Sequence, residues 1–166
     1  MPTSQARFHA GDLSIDRRYT QRSMARQTIL VVDDQPELRT LLGRMLTPAG
    51  YHVVACPDGD TALVAAREHA ETLALAIVDA HLGEARGEDV LLELHARFPR
   101  LPMLTTSGGL EDGHRLPGVL GHLPKPFGKA ELLQLVARHA GPGSGGRRGA
   151  PAASETAGVV PDDGGC

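Results

Sequence analysis

The feature that most constrains this chain is an apolar run that ends in charge: Thr28-Ile29-Leu30-Val31-Val32 passes directly into Asp33-Asp34. β-branched and leucine side chains without polar alternation suit a strand covered on both faces, as in the centre of a parallel sheet. The two aspartates then stand where the strand leaves the core, and in open parallel sheets ligands bind at that carboxyl edge. The pair has two readings. Either it is a cation site, or Asp34 caps the next helix while Asp33 is a solvated turn residue, a common use of aspartate. The run alone leaves both open.

Beyond Asp34 the chain alternates between two periods. Gln35-Pro36-Glu37 opens a helix, because proline suits the first turn and glutamate complements the helix dipole. Leu38, Leu41, Leu42, Met45 and Leu46 make one apolar face, and Thr47-Pro48-Ala49-Gly50 ends it. Tyr51 to Ala55 reads as a second strand, and Asp58 is placed to cap a second helix with Ala62, Ala65, Ala66 and His69 inward. Leu73 to Val78 is a third apolar run, and it too ends in an aspartate, Asp79. A loop holding Gly83 and Gly87 leads to a third helix with Val90, Leu91, Leu94 and Phe98 on one side. Leu101 to Thr106 is a fourth strand, ending at Ser107-Gly108-Gly109. From Leu110 to Pro117 the pattern fails, leaving room for about one or two helical turns. Val119 to Leu123 is a short fifth strand; Pro124-Lys125-Pro126-Phe127 comes next, then a last helix with Leu132, Leu133, Val136 and Ala140 inward. Strands alternating with helices imply βαβ units and right-handed crossovers, so the expected fold is α/β, a doubly wound five-stranded parallel sheet.

The flanks carry no apolar period. Residues 1–26 contain four arginines from Arg17 to Arg26 and a second methionine, Met24, an alternative start; residues 141–166 are rich in Gly, Pro, Ser and Ala. Both are expected to be disordered, with residues 27–140 as the folded domain. A net charge of -3 gives no general attraction to nucleic acid, so no direct DNA binding is expected. Cys56 and Cys166 make neither a disulfide framework nor a metal-ligand spacing, which fits a reducing cytoplasm. No apolar run is long enough for a membrane span.

Chemistry converges on one edge. Asp33 and Asp34 follow the first strand, Asp79 the third, Ser107 the fourth and Lys125 the fifth. Crowded carboxylates raise one another's pKa unless a cation compensates, and Lys125 supplies only one positive charge. Mg²⁺ would bring the set to neutrality, and it suits carboxylate and carbonyl oxygens with retained waters. Such a site is ready to accept an anionic phosphoryl group.

In order and spacing, Asp-Asp, Asp, Ser-Gly and Lys-Pro-Phe at successive strand ends, with Gly87 eight residues after Asp79, resemble the receiver domain of two-component response regulators. The resemblance implies a flavodoxin-like sheet of order 2-1-3-4-5. It implies that Asp79 is the phosphoacceptor, attacking the phosphorus of a phosphohistidine on a sensor or hybrid histidine kinase or a histidine phosphotransfer protein. Asp34 would ligate Mg²⁺ directly, Asp33 mainly through water, and the backbone carbonyl of His81 would complete the set. Lys125 would pair with Asp79 and then with the phosphoryl oxygens, Ser107 would hydrogen-bond the phosphoryl group, and a cis bond is expected before Pro126. Output would be protein contact rather than catalysis.

Two positions depart from the family pattern. Leu82-Gly83 stand where a Met-Pro or Leu-Pro pair is common, an expected loosening of the loop after Asp79. The Gly108 to Gly118 stretch is short for the fourth helix, and the aromatic switch position three residues before the lysine is His122, either a rotamer switch or an ordinary strand histidine. Two other functions compete. A small Mg²⁺-dependent phosphatase with an aspartyl nucleophile would have its acids two residues apart, whereas Asp33 and Asp34 are adjacent; a degenerate receiver acting as an unphosphorylated adaptor would not need the full acidic set.

Overall fold

The computed structural model describes residues 26–83, 85–107 and 116–143. In chain order these form β1 (Thr28–Val32), α1 (Pro36–Leu46), a 3₁₀ turn (Thr47–Ala49), β2 (His52–Cys56), α2 (Gly59–Glu68) and β3 (Leu73–Asp79). Next come β4 (His81–Leu82), β5 (Ala85–Arg86), α3 (Gly87–Arg97), β6 (Met103–Ser107), β7 (Val119–Pro124) and α4 (Lys129–Ala140). Five strands make one sheet in the order β2-β1-β3-β6-β7, and every pairing in it is parallel. Counting only those strands, the order is the expected 2-1-3-4-5.

Alternation along each strand divides the core in two. Leu30, Val32, Ala76, Val78 and Met103 face α2 and α3, where they meet Ala62, Ala66, Leu91 and Leu94. Their neighbours Ile29, Val31, Leu75, Ile77 and Leu104 face α1 and α4 and pack on Leu42, Leu46, Leu132 and Val136. All five residues of β1 are buried, as an unalternating apolar run between two helical layers requires. With so few aromatic residues, these aliphatic side chains build both halves of the core.

Several local expectations change. The loop after Asp79 is a small antiparallel hairpin: His81 pairs with Arg86 and Leu82 with Ala85, and Leu82 is buried in the core. The expected loosening at Leu82-Gly83 therefore gives way to a paired turn, in which Gly83 takes a left-handed φ of 62°. Tyr51 precedes β2 rather than opening it; its ring is buried and its hydroxyl donates to the Gly141 carbonyl at 2.7 Å. His69 lies past the end of α2 and is half-buried. Pro102 delays β6 to Met103, because a residue without an amide proton cannot continue the ladder. Asp58 does cap α2, accepting from the Thr61 amide at 2.8 Å. Residues 108–115, most of the stretch expected to hold a shortened fourth helix, and most of both flanks expected to be disordered fall outside the described residues. No helix among the described residues is long and apolar enough to cross a membrane.

Leu104 is fully buried under α1 and α4. Leu104→Ala should lower unfolding stability by about 2–5 kcal/mol in urea titration; a loss below about 1 kcal/mol would mean this half of the core is not close-packed.

Candidate functional site

At the carboxyl edge, each strand delivers its polar residue to one place. Asp33 leaves β1 with its amide bonded to the Cys56 carbonyl of β2. Asp79 ends β3, and the Ala80 amide after it bonds the Thr106 carbonyl of β6. Ser107 ends β6, and its carbonyl accepts the Lys125 amide at 2.8 Å. Backbone hydrogen bonds between neighbouring strand ends thus continue past the sheet and hold the side chains in register. The Lys125–Pro126 bond is cis, as the resemblance implies.

Lys125 is the hub. Its Nζ donates to Asp79 Oδ2 at 2.6 Å and to Asp33 Oδ2 at 3.1 Å. Both carboxylates are deeply buried, with side-chain exposures of 2% for Asp33 and 4% for Asp79, against 20% for Lys125. Asp33 spends its other oxygen on the Gln35 amide at 2.8 Å. This corrects the capping alternative on both counts: Asp33 is not solvated, and Asp34 does not cap α1, whose N-cap position is Gln35 and carries no side-chain cap. Asp34 is exposed, and its carboxylate makes no hydrogen bond or ion pair among the described residues. One oxygen from each of Asp33, Asp34 and Asp79 lies within 4.8 Å of the others. Three carboxylates around one ammonium leave two negative charges unbalanced, and an all-oxygen donor set with an open, exposed member fits a hard divalent cation.

Charge and burial act on these groups in opposite directions. Burial raises the Asp33 carboxyl above the ordinary carboxylate value, and the opposing Gln35 amide and Lys125 do not cancel it; Asp79 pushes it further up. Burial alone would lower Lys125, but its hydrogen bonds to Asp79 and Asp33 outweigh burial and hold the ammonium above the usual lysine value.

Ser107 is buried beside His122, whose Nε2 is 3.5 Å from the serine hydroxyl and whose Nδ1 is 3.0 Å from Thr105 Oγ1. The half-buried imidazole therefore lies inward, over Ser107. His81 is exposed, with its amide 3.4 Å from Asp79 Oδ1. Gly87 is buried where no side chain fits, since a Cβ there would lie 1.9 Å from the Asp79 carbonyl oxygen. Sequence reasoning missed Arg39, whose Nη1 donates to the Asp33 carbonyl at 2.6 Å, and Thr105. An arginine one turn into α1 looks like any solvated helix residue. Thr105, by contrast, stands in register with His122, so aligning the strands is enough to find it.

Comparison with known proteins identifies the fold and the family. The family model described as the response regulator receiver domain matches residues 29–137. A probable transcriptional regulatory protein, TcrX of Mycobacterium tuberculosis, is 32% identical over 112 residues, covering 64% of this chain and 46% of the relative. The chain spans about half or less of the length of the first curated relatives it matches. Among solved structures, the chemotaxis protein CheY4 of Vibrio cholerae aligns with a TM-score of 0.64 at 25% identity, covering 69% of this chain and 99% of that one. The receiver domain of sensor histidine kinase PA1611 from Pseudomonas aeruginosa, which has a magnesium ion coordinated in its active-site cleft, aligns at 0.63 and 29% identity, covering 70% and 99%.

The geometry leads to two expected outcomes. Because Asp33 binds its proton more tightly folded than unfolded, metal-free protein should lose stability as pH rises through and just above the ordinary carboxylate range. Asp33→Asn should flatten that slope and raise the metal-free thermal midpoint at neutral pH; an unchanged slope would remove Asp33 as its source. Gly87→Ala must displace the Asp79 backbone, so it should weaken Mg²⁺ binding in calorimetric titration, while a control where an added Cβ meets open space, such as Gly43→Ala, does not.

Proposed function

The chain belongs to the response regulator receiver domain family of two-component signalling, and from that premise we propose that it relays signals by accepting a phosphoryl group on Asp79 with Mg²⁺ bound beside it. The observation that carries the reading is the Lys125 ammonium held between Asp79 and Asp33 while the Asp34 carboxylate stays open. The receiver unit is taken as residues 27–140, flanked by segments 1–26 and 141–166.

In this reading the Asp79 carboxylate attacks the phosphorus of a phosphohistidine on a sensor or hybrid histidine kinase, or on a phosphotransfer protein. A P–O bond forms as the P–N bond breaks, and the imidazole leaves with the electron pair. Asp34 and Asp33 would hold Mg²⁺ with Asp79 and the His81 carbonyl, and the ion would supply positive charge to the transferring group. Lys125, now hydrogen-bonded to Asp79, turns to a phosphoryl oxygen, and the Ser107 hydroxyl donates to another. Their work is positioning and charge compensation rather than covalent chemistry. His122 already lies over Ser107, so a phosphoryl group reaching Ser107 changes the imidazole's partner, and a changed surface along β7 is read by another protein. Support for a kinase donor comes from the likeness to receivers of the sensor kinase PA1611 and of the hybrid histidine kinase CckA. The expected setting is the cytoplasm.

Incubation with Mg²⁺ and a small acyl phosphate should add one phosphoryl mass to the intact protein. The adduct should vanish in Asp79→Ala and with chelator. Steady phosphate release without an adduct would favour the phosphatase alternative, and neither adduct nor release would favour the unphosphorylated adaptor.

A further inference from the structure

At the amino edge of the sheet, opposite Asp79, three elements meet around a short chain of hydroxyls. Thr28 opens β1 in register with His52 of β2 on one side and Leu73 of β3 on the other. Its buried Oγ1 lies 3.3 Å from His52 Nδ1 and 2.8 Å from Thr72 Oγ1. Thr72 Oγ1 in turn donates to the His69 carbonyl at 3.3 Å. His69 closes the circuit, because its ring returns to His52 with centroids 5.3 Å apart and planes tilted by 58°.

Two orders of donation fit these contacts, because either threonine hydroxyl can donate to the other and the ring nitrogen can give or take a proton. The His69 carbonyl already accepts the Thr72 and Leu73 amides at 2.9 and 2.8 Å, so the longer hydroxyl contact does not fix the direction. In the order that leaves Nε2 open, His52 Nδ1–H donates to Thr28, Thr28 to Thr72 and Thr72 to the His69 carbonyl. Metal-binding histidines are commonly fixed in this way, by a hydrogen bond from the nitrogen that does not ligate. His52 is exposed, so its ring is open to solvent.

The spacing suits a shared ion. Two imidazoles bound tetrahedrally with metal–nitrogen bonds of about 2.0–2.1 Å would have centroids about 5 Å apart. We propose that His52 and His69 form a second metal site, taking a borderline divalent transition ion such as Zn²⁺. Imidazole nitrogen favours such ions over Mg²⁺, so the two ends of the sheet select different metals. Among the described residues no third His, Cys or carboxylate joins the pair, so water completes the coordination and the ion exchanges readily. Occupancy would tie the start of β2 to the corner between α2 and β3, cross-linking neighbours of β1 at the edge away from Asp79. The inference does not rest on phosphoryl transfer.

The test is a calorimetric titration of the full chain with Zn²⁺ in excess Mg²⁺, which occupies the acidic site. His52→Ala and His69→Ala should each weaken one Zn²⁺ site by about tenfold or more, while His139→Ala leaves it unchanged. Ring ¹⁵N shifts of the metal-free protein should show His52 unprotonated at Nε2. Should an alanine variant fail to fold by circular dichroism, His52→Gln retains an amide to donate to Thr28 while removing the ligand, and it should lose the site as well. Zn²⁺ affinity that survives either histidine substitution, or a proton on His52 Nε2, would overturn the proposal.

Discussion

The ammonium of Lys125 is the contact on which the carboxyl edge depends. It reaches from the end of β7 past β6 to Asp79 and Asp33, on the two central strands, and both carboxylates are almost without solvent. Burying two like charges side by side is costly unless each has a fixed partner. Lysine satisfies one oxygen of each, and the Gln35 amide satisfies another of Asp33. What remains is a surplus of negative charge concentrated at the exposed carboxylate of Asp34. On the proposed function that surplus is the working feature, because a site already neutral would hold neither a divalent cation nor, afterwards, a phosphoryl group.

Parallel topology is what brings these groups together. Every strand of the main sheet runs the same way, so every strand ends at the same edge, and a residue just past each end faces its counterparts. Backbone bonds between Asp33 and Cys56, Ala80 and Thr106, and Lys125 and Ser107 carry the register beyond the strands. Gly87 then lets the start of α3 pass against the Asp79 carbonyl, with the Gly87 amide bonded to Ala80. The β4–β5 hairpin between them returns the chain over a few residues and buries Leu82, which anchors the segment bearing His81.

Much of this is legible in the amino-acid order alone. The unalternating run at β1 and the 3.6-residue faces of α1, α3 and α4 report burial directly, and burial is what shapes a doubly wound sheet. The convergence of Asp33, Asp34, Asp79, Ser107 and Lys125 comes from the strand order. Less legible are features that depend on pairing between segments distant in sequence. The hairpin at His81–Arg86 is too short to carry a period, so Gly83 and Gly87 read as a plain loop. Arg39 resembles a solvated helix residue until the Asp33 carbonyl is placed beside it. The division between Asp33 and Asp34 is also hidden, because adjacent identical residues differ only in which one the backbone turns inward.

The central claim is that this charge arrangement makes Asp79 the covalent acceptor. Its most direct test is to locate the bond. Protein treated with an acyl phosphate and Mg²⁺ would be reduced with borohydride, which converts an aspartyl phosphate to homoserine, and then mapped by peptide fragmentation. The account predicts homoserine at position 79 alone, absent when Mg²⁺ is withheld. Homoserine at position 33 or 34, or labelling that persists without the cation, would contradict it.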